Sequence, residues 1–371
     1  MGLGITSGKY TLAGTVAVGM LAAVRFDKPA GGACPSGRTR EAIVAKKPVR
    51  WGILGPGKIS RTFAAGLQAA DGAQLAAVGS RSAPRAAAFA AEHGFNRSWG
   101  TYEDLAADPA VDAVYIGTPH VFHEEHTLLC LRAGKHVLVE KPFAINAEQA
   151  GRMIRAAREN DRLLMEAMWT RFLPTVVAVR AMVAAGDIGE VRMLTADFGF
   201  RAPVDPHSRL FAPALGGGSL LDLGIYPLTL ASMLFGEPVQ VSSLANLGAT
   251  RVDEEAAVIM QHRGGELAVI HSSLRFDTPR HAFLLGTGGW IEIMFPWWAG
   301  TRLRVKVGDR DAEILERPHR GGGYTHEAEA FMELIRSGAR DSEIMPLDES
   351  LTIMKTMDLI RDQWGLTYPG E

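Results

Sequence analysis

Glu140-Lys141-Pro142 closes a short apolar run, 136–140, that lies between two segments of helical spacing. Such a run reads as a buried parallel strand. Lysine at the carboxyl end of that strand lies beside the crevice where open α/β sheets bind ligands. An ammonium there can orient a substrate hydroxyl and lower the pKa of a neighbouring acid. A Glu-Lys-Pro corner alone reads first as a solvated lysine at a strand end, so its company in the sequence decides.

Upstream, Gly55-Pro56-Gly57-Lys58-Ile59-Ser60 follows the apolar run 50–54 and opens a segment with helical spacing at Ile59, Phe63 and Leu67. It fits the G-x-G-x-x-G/A phosphate turn, with serine in the last place. Gly55 permits the tight turn. Gly57 lets the backbone approach a pyrophosphate over the unpaired amides of a helix N-terminus, beside Lys58 and Ile59. Ser60 is small enough for close packing of helix on strand. A dinucleotide site is therefore expected.

The end of the next strand selects the dinucleotide. It reads Val78-Gly79-Ser80-Arg81-Ser82, and no carboxylate occurs from Gln74 to Pro84. An NAD site places Asp or Glu there for the ribose 2′-hydroxyl. Arg81, between the hydroxyls of Ser80 and Ser82, instead suits a 2′-phosphate, so NADP is expected. The competing reading is a surface arginine after a strand.

These residues need a scaffold. Strands at 50–54, 74–79, 111–117, 136–140 and 163–168 alternate with helices at 58–70, 84–94, 123–133 and 147–160. That alternation predicts a Rossmann-type, doubly wound parallel sheet. After Phe172 strands follow one another, at 191–200, 239–246, 256–262, 266–276, 281–285, 290–295 and 302–307. Helices near 174–185, 219–235 and 325–337 interrupt them. This predicts an α+β domain with a mostly antiparallel open sheet. The expected class is thus α/β, with an NADP-binding domain at 49–169 and a substrate-binding and dimerisation domain at 170–371.

Composition narrows the classes. The chain has 371 residues, 47% of them hydrophobic and 22% charged, with net charge −2. This is a globular mixture of two-domain length, without the basic surface that nucleic acid or anionic membranes need. Cys34 and Cys130 can build neither a disulfide framework nor a zinc set. His120, His123 and His126 are spaced by three but match no zinc motif, so no metal is expected. Residues 1–48 read as a disordered extension. Their apolar run, 11–24, is too short to span a bilayer and resembles a signal-peptide core. A cytoplasmic protein is expected, with export as the alternative.

Four motifs carry a family resemblance: GPGKIS at 55–60, GTPHVFHEEHTLLCLRAGKHVLVEKP at 117–142, MEAMWTRFLP at 165–174 and GGGSLLDLGIYPL at 216–228. Together they resemble the glucose–fructose oxidoreductase/inositol dehydrogenase (Gfo/Idh/MocA) family, from about Val49 to about residue 367. The resemblance implies that Lys141 is the catalytic lysine of the E-K-P motif, Tyr226 the acid/base and Asp222 its supporting carboxylate. It implies that Trp169 lines the substrate pocket. It also brings the loop of Thr118, Pro119 and His120, with Glu140, beside the nicotinamide. Many inositol-type members have histidine where this chain has Tyr226, which argues against an inositol substrate.

The chemistry agrees. Oxidising a carbinol needs a base for the hydroxyl proton while hydride leaves. Tyrosine titrates near pH 10, and an adjacent ammonium lowers that. Asp222 and Tyr226, four apart, would share a helix face that Ser219 could cap. Pro227 disfavours helical dihedrals at Tyr226, so the helix is expected to kink or restart there. Arg209 fits either a substrate contact or a structural salt bridge.

The expected function is an NADP-dependent oxidoreductase moving hydride between nicotinamide and a sugar, cyclic polyol or trans-dihydrodiol. The alternatives are a reductase of a keto- or anhydro-sugar and a non-catalytic NADP-binding sensor or scaffold. Intact Lys141, Asp222 and Tyr226 argue against the last. A homodimer through the second sheet is expected, because WIEIMFPWW at 290–298 carries more aromatic surface than a solvated face tolerates. The competing reading places those tryptophans in the core.

Overall fold

The computed structural model describes residues 47–371. The apolar run 11–24 and Cys34 lie outside the described residues. The first sheet is built from β1 (Val49–Leu54), α1 (Lys58–Gln68), β2 (Ala73–Gly79), α2 (Ala83–His93), β3 (Arg97–Trp99), α3 (Tyr102–Ala107), β4 (Ala113–Ile116), α4 (His123–Arg132), β5 (His136–Glu140), α5 (Ala147–Glu159) and β6 (Leu164–Ala167). Its strands run parallel in the order β3-β2-β1-β4-β5-β6. Helices cover both faces, so strands such as β4 and β6 are buried along their whole length, and this is why they read as unbroken apolar runs. Phe63 of α1 stacks on Tyr115 of β4 at 3.8 Å and meets Trp51 of β1 edge-on. Strand order reverses between β1 and β4. The crevice at their carboxyl ends is where such sheets bind ligands.

The second sheet follows α6 (Pro174–Ala185). It comprises β7 (Val191–Gly199), then α7 (Ile225–Phe235), then β8 (Pro238–Leu247), β9 (Asp253–His262), β10 (Leu267–Ser273), β11 (Ala282–Gly286), β12 (Gly289–Ile293), β13 (Arg302–Val307) and β14 (Glu313–Glu316). The order is β14-β13-β12-β11-β7-β10-β9-β8, antiparallel except for β7 with β10. Burial alternates along β9: Ala256, Val258 and Met260 point inward, Ala257 and Ile259 outward. The outward face leaves Leu244, Ile259 and Leu285 exposed.

The last two helices, α8 (Tyr324–Ser337) and α9 (Leu347–Trp364), return to the first sheet. Thr325 donates to the carbonyl of Gly66 on α1 at 2.9 Å. Asp358 of α9 accepts the Ala147 N–H that opens α5, at 2.8 Å. The buried Arg171 guanidinium joins Glu349 of α9 to the carbonyls of Ile344 and Thr229.

Three features differ from the sequence reading. First, β3, α3, β14 and α9 were not anticipated. The first three are too short to show a period, and the buried stripe of α9 is blurred by Ser350, Thr356 and Arg361. Second, the helix around Tyr226 does not restart at Pro227. A π-turn, Leu220–Gly224, runs straight into α7, and Pro227 falls in its first turn, where a missing N–H is tolerated. Third, the aromatic run does not stay on the open face. β12 ends at Ile293, and the following turn carries Trp297 and Trp298 back inward. The Trp297 indole donates to the Asp197 carbonyl at 2.7 Å, and Trp298 stacks on Phe198. Trp290 remains outside, beside Phe283. Among the described residues one helical stretch, 213–235, is apolar and long enough to cross a membrane, but 83% of its apolar window is buried within the protein.

Candidate active site

Gly55 adopts φ +90°, and a Cβ there would stand 2.7 Å from Thr118 Cγ2, so the turn after β1 requires glycine. Gly57 then opens α1 with no side-chain cap and no acidic residue in the first turn, leaving its amides free for an anion. Ser60 donates to the Gly55 carbonyl at 2.6 Å. It is matched by Gly117 at the end of β4, where a Cβ would lie 2.2 Å from the Ser60 hydroxyl. Sequence reasoning missed Gly117, which supplies the space usually left by the motif's third glycine.

These residues border a cleft of about 470 Å³ between the two sheets. Gly57, Lys58, Ile59, Thr118, Pro119 and His120 form one side, and Glu140 and Lys141 the floor. Arg209, Asp222 and Tyr226 face them from the second sheet's side, with Phe198, Phe200, Leu215 and Leu223. The sequence reading had not singled out those four apolar residues. Loop positions such as Leu215 have no periodic signal that would expose them. A second cavity, about 340 Å³, holds Arg81, Tyr102, Phe122 and His126 and shares Thr118 and Pro119 with the first. Arg81 lies over the Phe122 ring at 5.9 Å. Ser80 is buried and accepts the Ser82 N–H at 3.2 Å, so neither serine lines these cavities. Two joined cavities, an uncapped helix N-terminus and a cation at the far end fit an elongated dinucleotide phosphate.

Lys141 is the centre of the floor. Its Nζ donates to the Asp222 carbonyl at 2.8 Å, lies 3.4 Å from Asp222 Oδ1 and stands 4.7 Å from the centre of the Tyr226 ring. Pro227, five residues beyond Asp222, has no N–H to give that carbonyl, and Lys141 donates to it from the other sheet. Arg209 binds the Asp222 carboxylate through both Nη atoms, at 2.8 and 3.3 Å, while also lining the cleft. Trp169 stands behind Tyr226 rather than in the cleft wall. Its indole N–H donates to the Tyr226 hydroxyl at 3.3 Å, and its ring stacks on Tyr324.

Ser219 does not cap this helix. Its hydroxyl turns to Asp253, whose carboxylate reaches from β9 and accepts the Leu220 N–H at 2.6 Å. The cap thus comes from a distant strand, which local spacing cannot show. The three histidines are held separately. His120 Nε2 lies 2.7 Å from the Gly216 carbonyl, the neutral His123 ring sits between the carbonyls of Pro142 and Thr118 and can donate to one of them, and His126 meets the Thr118 hydroxyl. No metal-ligand cluster forms among the described residues.

The comparisons with known proteins fit this arrangement. The family model described as an oxidoreductase family with an NAD-binding Rossmann fold (GFO/IDH/MocA) matches residues 49–168, and the GFO/IDH/MocA C-terminal domain matches 176–292. The chain belongs to the GFO/IDH/MocA oxidoreductase family. Human trans-1,2-dihydrobenzene-1,2-diol dehydrogenase is 36% identical over 332 residues, covering 87% of this chain and 99% of that protein. KijD10, a 3-ketoreductase from Actinomadura kijaniata solved with NADP and TDP-benzene, is 28% identical with TM-score 0.77, covering 85% and 98% of the two chains. Aldose-aldose oxidoreductase from Caulobacter crescentus is 27% identical with TM-score 0.76, covering 86% and 99%.

In this oxidoreductase the buried charges oppose one another. Burial would raise the Asp222 carboxyl, but Lys141 and Arg209 outweigh it and hold it well below the usual carboxylate range. Burial would lower Lys141, yet Tyr226 and Asp222 keep its ammonium above its ordinary value. Tyr226 departs from the sequence reading. Lys141 does pull its pKa down, but burial pushes up harder, and the net shift is upward. Burial raises Glu140 to about 6 against the pull of Lys141. Tyr115 donates to one of its oxygens and the Lys141 N–H to the other.

Glu166 of β6 supports the corner from behind. It accepts the Phe143 N–H at 3.0 Å and the Ser350 hydroxyl of α9 at 2.8 Å. Burial pushes its carboxyl up to about 7, despite Ser350 and Arg171. The folded chain therefore holds a proton there that the unfolded chain releases near pH 4.3. Ionising it costs the native state stability as pH rises through that window. Glu166→Gln stays neutral throughout, so its unfolding free energy should gain on wild type between pH 4.5 and 7.5 in urea titrations. A difference that does not change with pH would mean that Glu166 is already ionised.

Proposed function

We propose that this chain is an NADP-dependent oxidoreductase that moves hydride between nicotinamide and a carbinol carbon of a sugar, cyclic polyol or trans-dihydrodiol. The observation that carries the reading is the Lys141 ammonium, held between Asp222 and the Tyr226 ring on the floor of a dinucleotide-sized cleft. Relatives that cover nearly their whole length, named for dihydrodiol and aldose chemistry, support it.

Bound NADP would supply the hydride acceptor or donor. The amides at the start of α1, with Gly57, Lys58 and Ile59, suit its pyrophosphate, and Arg81 its 2′-phosphate. Lys141 presents its ammonium to the oxygen of the reacting carbon. Tyr226 hands a proton to that oxygen or takes one from it. Because its pKa is raised, Tyr226 is protonated at neutral pH and ready as the acid of carbonyl reduction. In the oxidative direction the rate should rise with pH as its proton becomes easier to remove. Asp222 keeps Lys141 charged and in place. The apolar wall of Phe198, Phe200, Leu215 and Leu223 suits a ring with one apolar face. A sensor or scaffold would need no such buried Lys–Asp–Tyr set. Action in a reducing compartment accords with the buried free thiol of Cys130.

A second copy would pair with the outward face of the second sheet, where Leu244, Ile259 and Leu285 are exposed beside Trp290. Light scattering at micromolar concentration should give twice the chain mass. A strictly monomeric protein would defeat this.

Lys141→Met should bind NADP nearly as well as wild type and lose turnover on the order of 10²-fold or more. Tyr226→Phe should lose turnover together with the rise of the oxidation rate at alkaline pH. Stopped or steady-state assays at 340 nm test both, and near-normal rates would remove these groups from the mechanism.

Arg81→Ala should weaken NADP far more than NAD, because only NADP has a 2′-phosphate. One charge-assisted pair contributes roughly 1.5–3 kcal/mol, so about a ten- to hundredfold loss is expected. Equal losses for both cofactors would make Arg81 structural.

A further inference from the structure

Segment 365–371 follows α9 and takes no part in either sheet. Gly365 turns the chain at φ +64° and brings Tyr368 against the triple glycine at 216–218. The Tyr368 hydroxyl donates to the Gly217 carbonyl at 2.7 Å, and both residues are buried. The tyrosine is itself held on two sides. The Arg361 guanidinium of α9 lies over its ring at 4.9 Å. Its N–H donates to the Glu371 carboxylate at 2.7 Å, and Arg361 binds both oxygens of that carboxylate at 2.8 and 2.9 Å. Arg361 is fixed in turn by Asp358 at 2.8 Å and by the Ile145 carbonyl at 3.3 Å. Charge-assisted bonds of this kind make the hydroxyl a donor in a set place.

What that donor holds borders the cleft. Residues 208–218 fold back on themselves, with the Gly217 N–H on the Ala212 carbonyl at 3.0 Å and the Gly218 N–H on the Leu210 carbonyl at 2.9 Å. The unit carries Leu215, which lines the cleft, and Arg209, which lines it and binds the Asp222 carboxylate. Its end is a hinge of glycine, at φ +69° for Gly216 and +129° for Gly218. Glycine sets no shape of its own. The unit therefore takes its position from its anchors. Two of them, Arg209 and the His120 contact on Gly216, lie in the cleft. Tyr368 anchors it from outside the cleft.

We infer that Tyr368 is a positioning residue for the carbinol substrate: its hydroxyl fixes Gly217 and so keeps Leu215 and Arg209 in the cleft wall. This rests on the oxidoreductase reading above. Tyr368 touches no reacting group. Lys141 and Tyr226 have supports of their own in Glu166 and Trp169. Losing the Tyr368 hydroxyl should loosen the wall that receives the substrate and leave the proton and hydride steps of the closed complex as they are.

The full chain is compared with Tyr368→Phe in two measurements. Native-state trypsin digestion, read by mass spectrometry, follows cleavage after Arg209, which needs the unit to open, and after Arg263 in the turn between β9 and β10. Taking the donor from a buried carbonyl should favour opening about five- to hundredfold, and cleavage limited by that equilibrium should quicken as much. Cleavage after Arg263 should not change. Steady-state oxidation with NADP+ is then measured on D-xylose, D-glucose and trans-cyclohexane-1,2-diol. KM for the compounds that wild type oxidises should rise severalfold while kcat stays within about twofold, because only the closed fraction binds. Glu371→Gln weakens the clasp on Arg361 without touching the ring. It should move both readouts the same way by less, and it carries the test if Tyr368→Phe does not fold. Unchanged KM, or a fall in kcat alone, overturns the inference and leaves the oxidoreductase reading intact. Equal acceleration after Arg209 and Arg263 reduces Tyr368 to general stability and also overturns it. If wild type oxidises none of the three compounds, the oxidoreductase reading falls and takes the inference with it.

Discussion

A buried ammonium has to be paired, and the pairing of Lys141 joins the two halves of this protein. The lysine stands at the end of β5 in the first sheet. Its partners, the Asp222 carbonyl and carboxylate and the face of Tyr226, stand on the helical segment that packs under the second sheet. Removing Asp222 would take away the carboxylate that pairs with the Lys141 ammonium, whereas Asp222 without Lys141 would keep Arg209. The cleft between the sheets is thus bridged by the same contact that is proposed to carry its chemistry.

Much of the surrounding structure keeps that contact in register. The π-turn at Leu220–Gly224 carries the Asp222 carbonyl that Lys141 reaches, and Asp253 anchors the start of the turn. Trp169, braced by Tyr324 from α8, holds the Tyr226 hydroxyl. Glu166 fastens the chain just after Lys141-Pro142 to α9. These braces come from β6, β9, α8 and α9, far apart in sequence. Precision of this kind depends on supports outside the reacting groups.

Burial also sets the protonation states, and not always in the direction that pairwise reasoning suggests. Between Lys141 and Tyr226 the charge effect has the sign expected from two neighbours, yet desolvation of the phenol is larger. For Asp222 two cations reverse the balance, and the carboxylate persists. One small site therefore holds an ionised acid, a charged amine and a neutral phenol together at neutral pH, which is the combination needed to pass one proton to or from a carbinol oxygen.

How much of this was legible in the chain alone follows from the range of each interaction. The alternation of strands and helices, the Gly55–Ser60 turn, the missing carboxylate near Arg81 and the Glu140-Lys141-Pro142 corner are local patterns, and local backbone chemistry is written residue by residue. The Rossmann part, the succession of later strands and the cofactor class could therefore be read directly, and the family motifs pointed to Lys141, Asp222 and Tyr226. Tertiary structure alone decided the rest. It turned Trp297 and Trp298 inward because β12 ends at Ile293, moved Trp169 behind Tyr226, took the helix cap from Asp253 rather than Ser219, and carried α9 back to the first sheet. Each of these depends on which distant groups become neighbours and on how much water is excluded between them. Spacing along a chain records neither quantity.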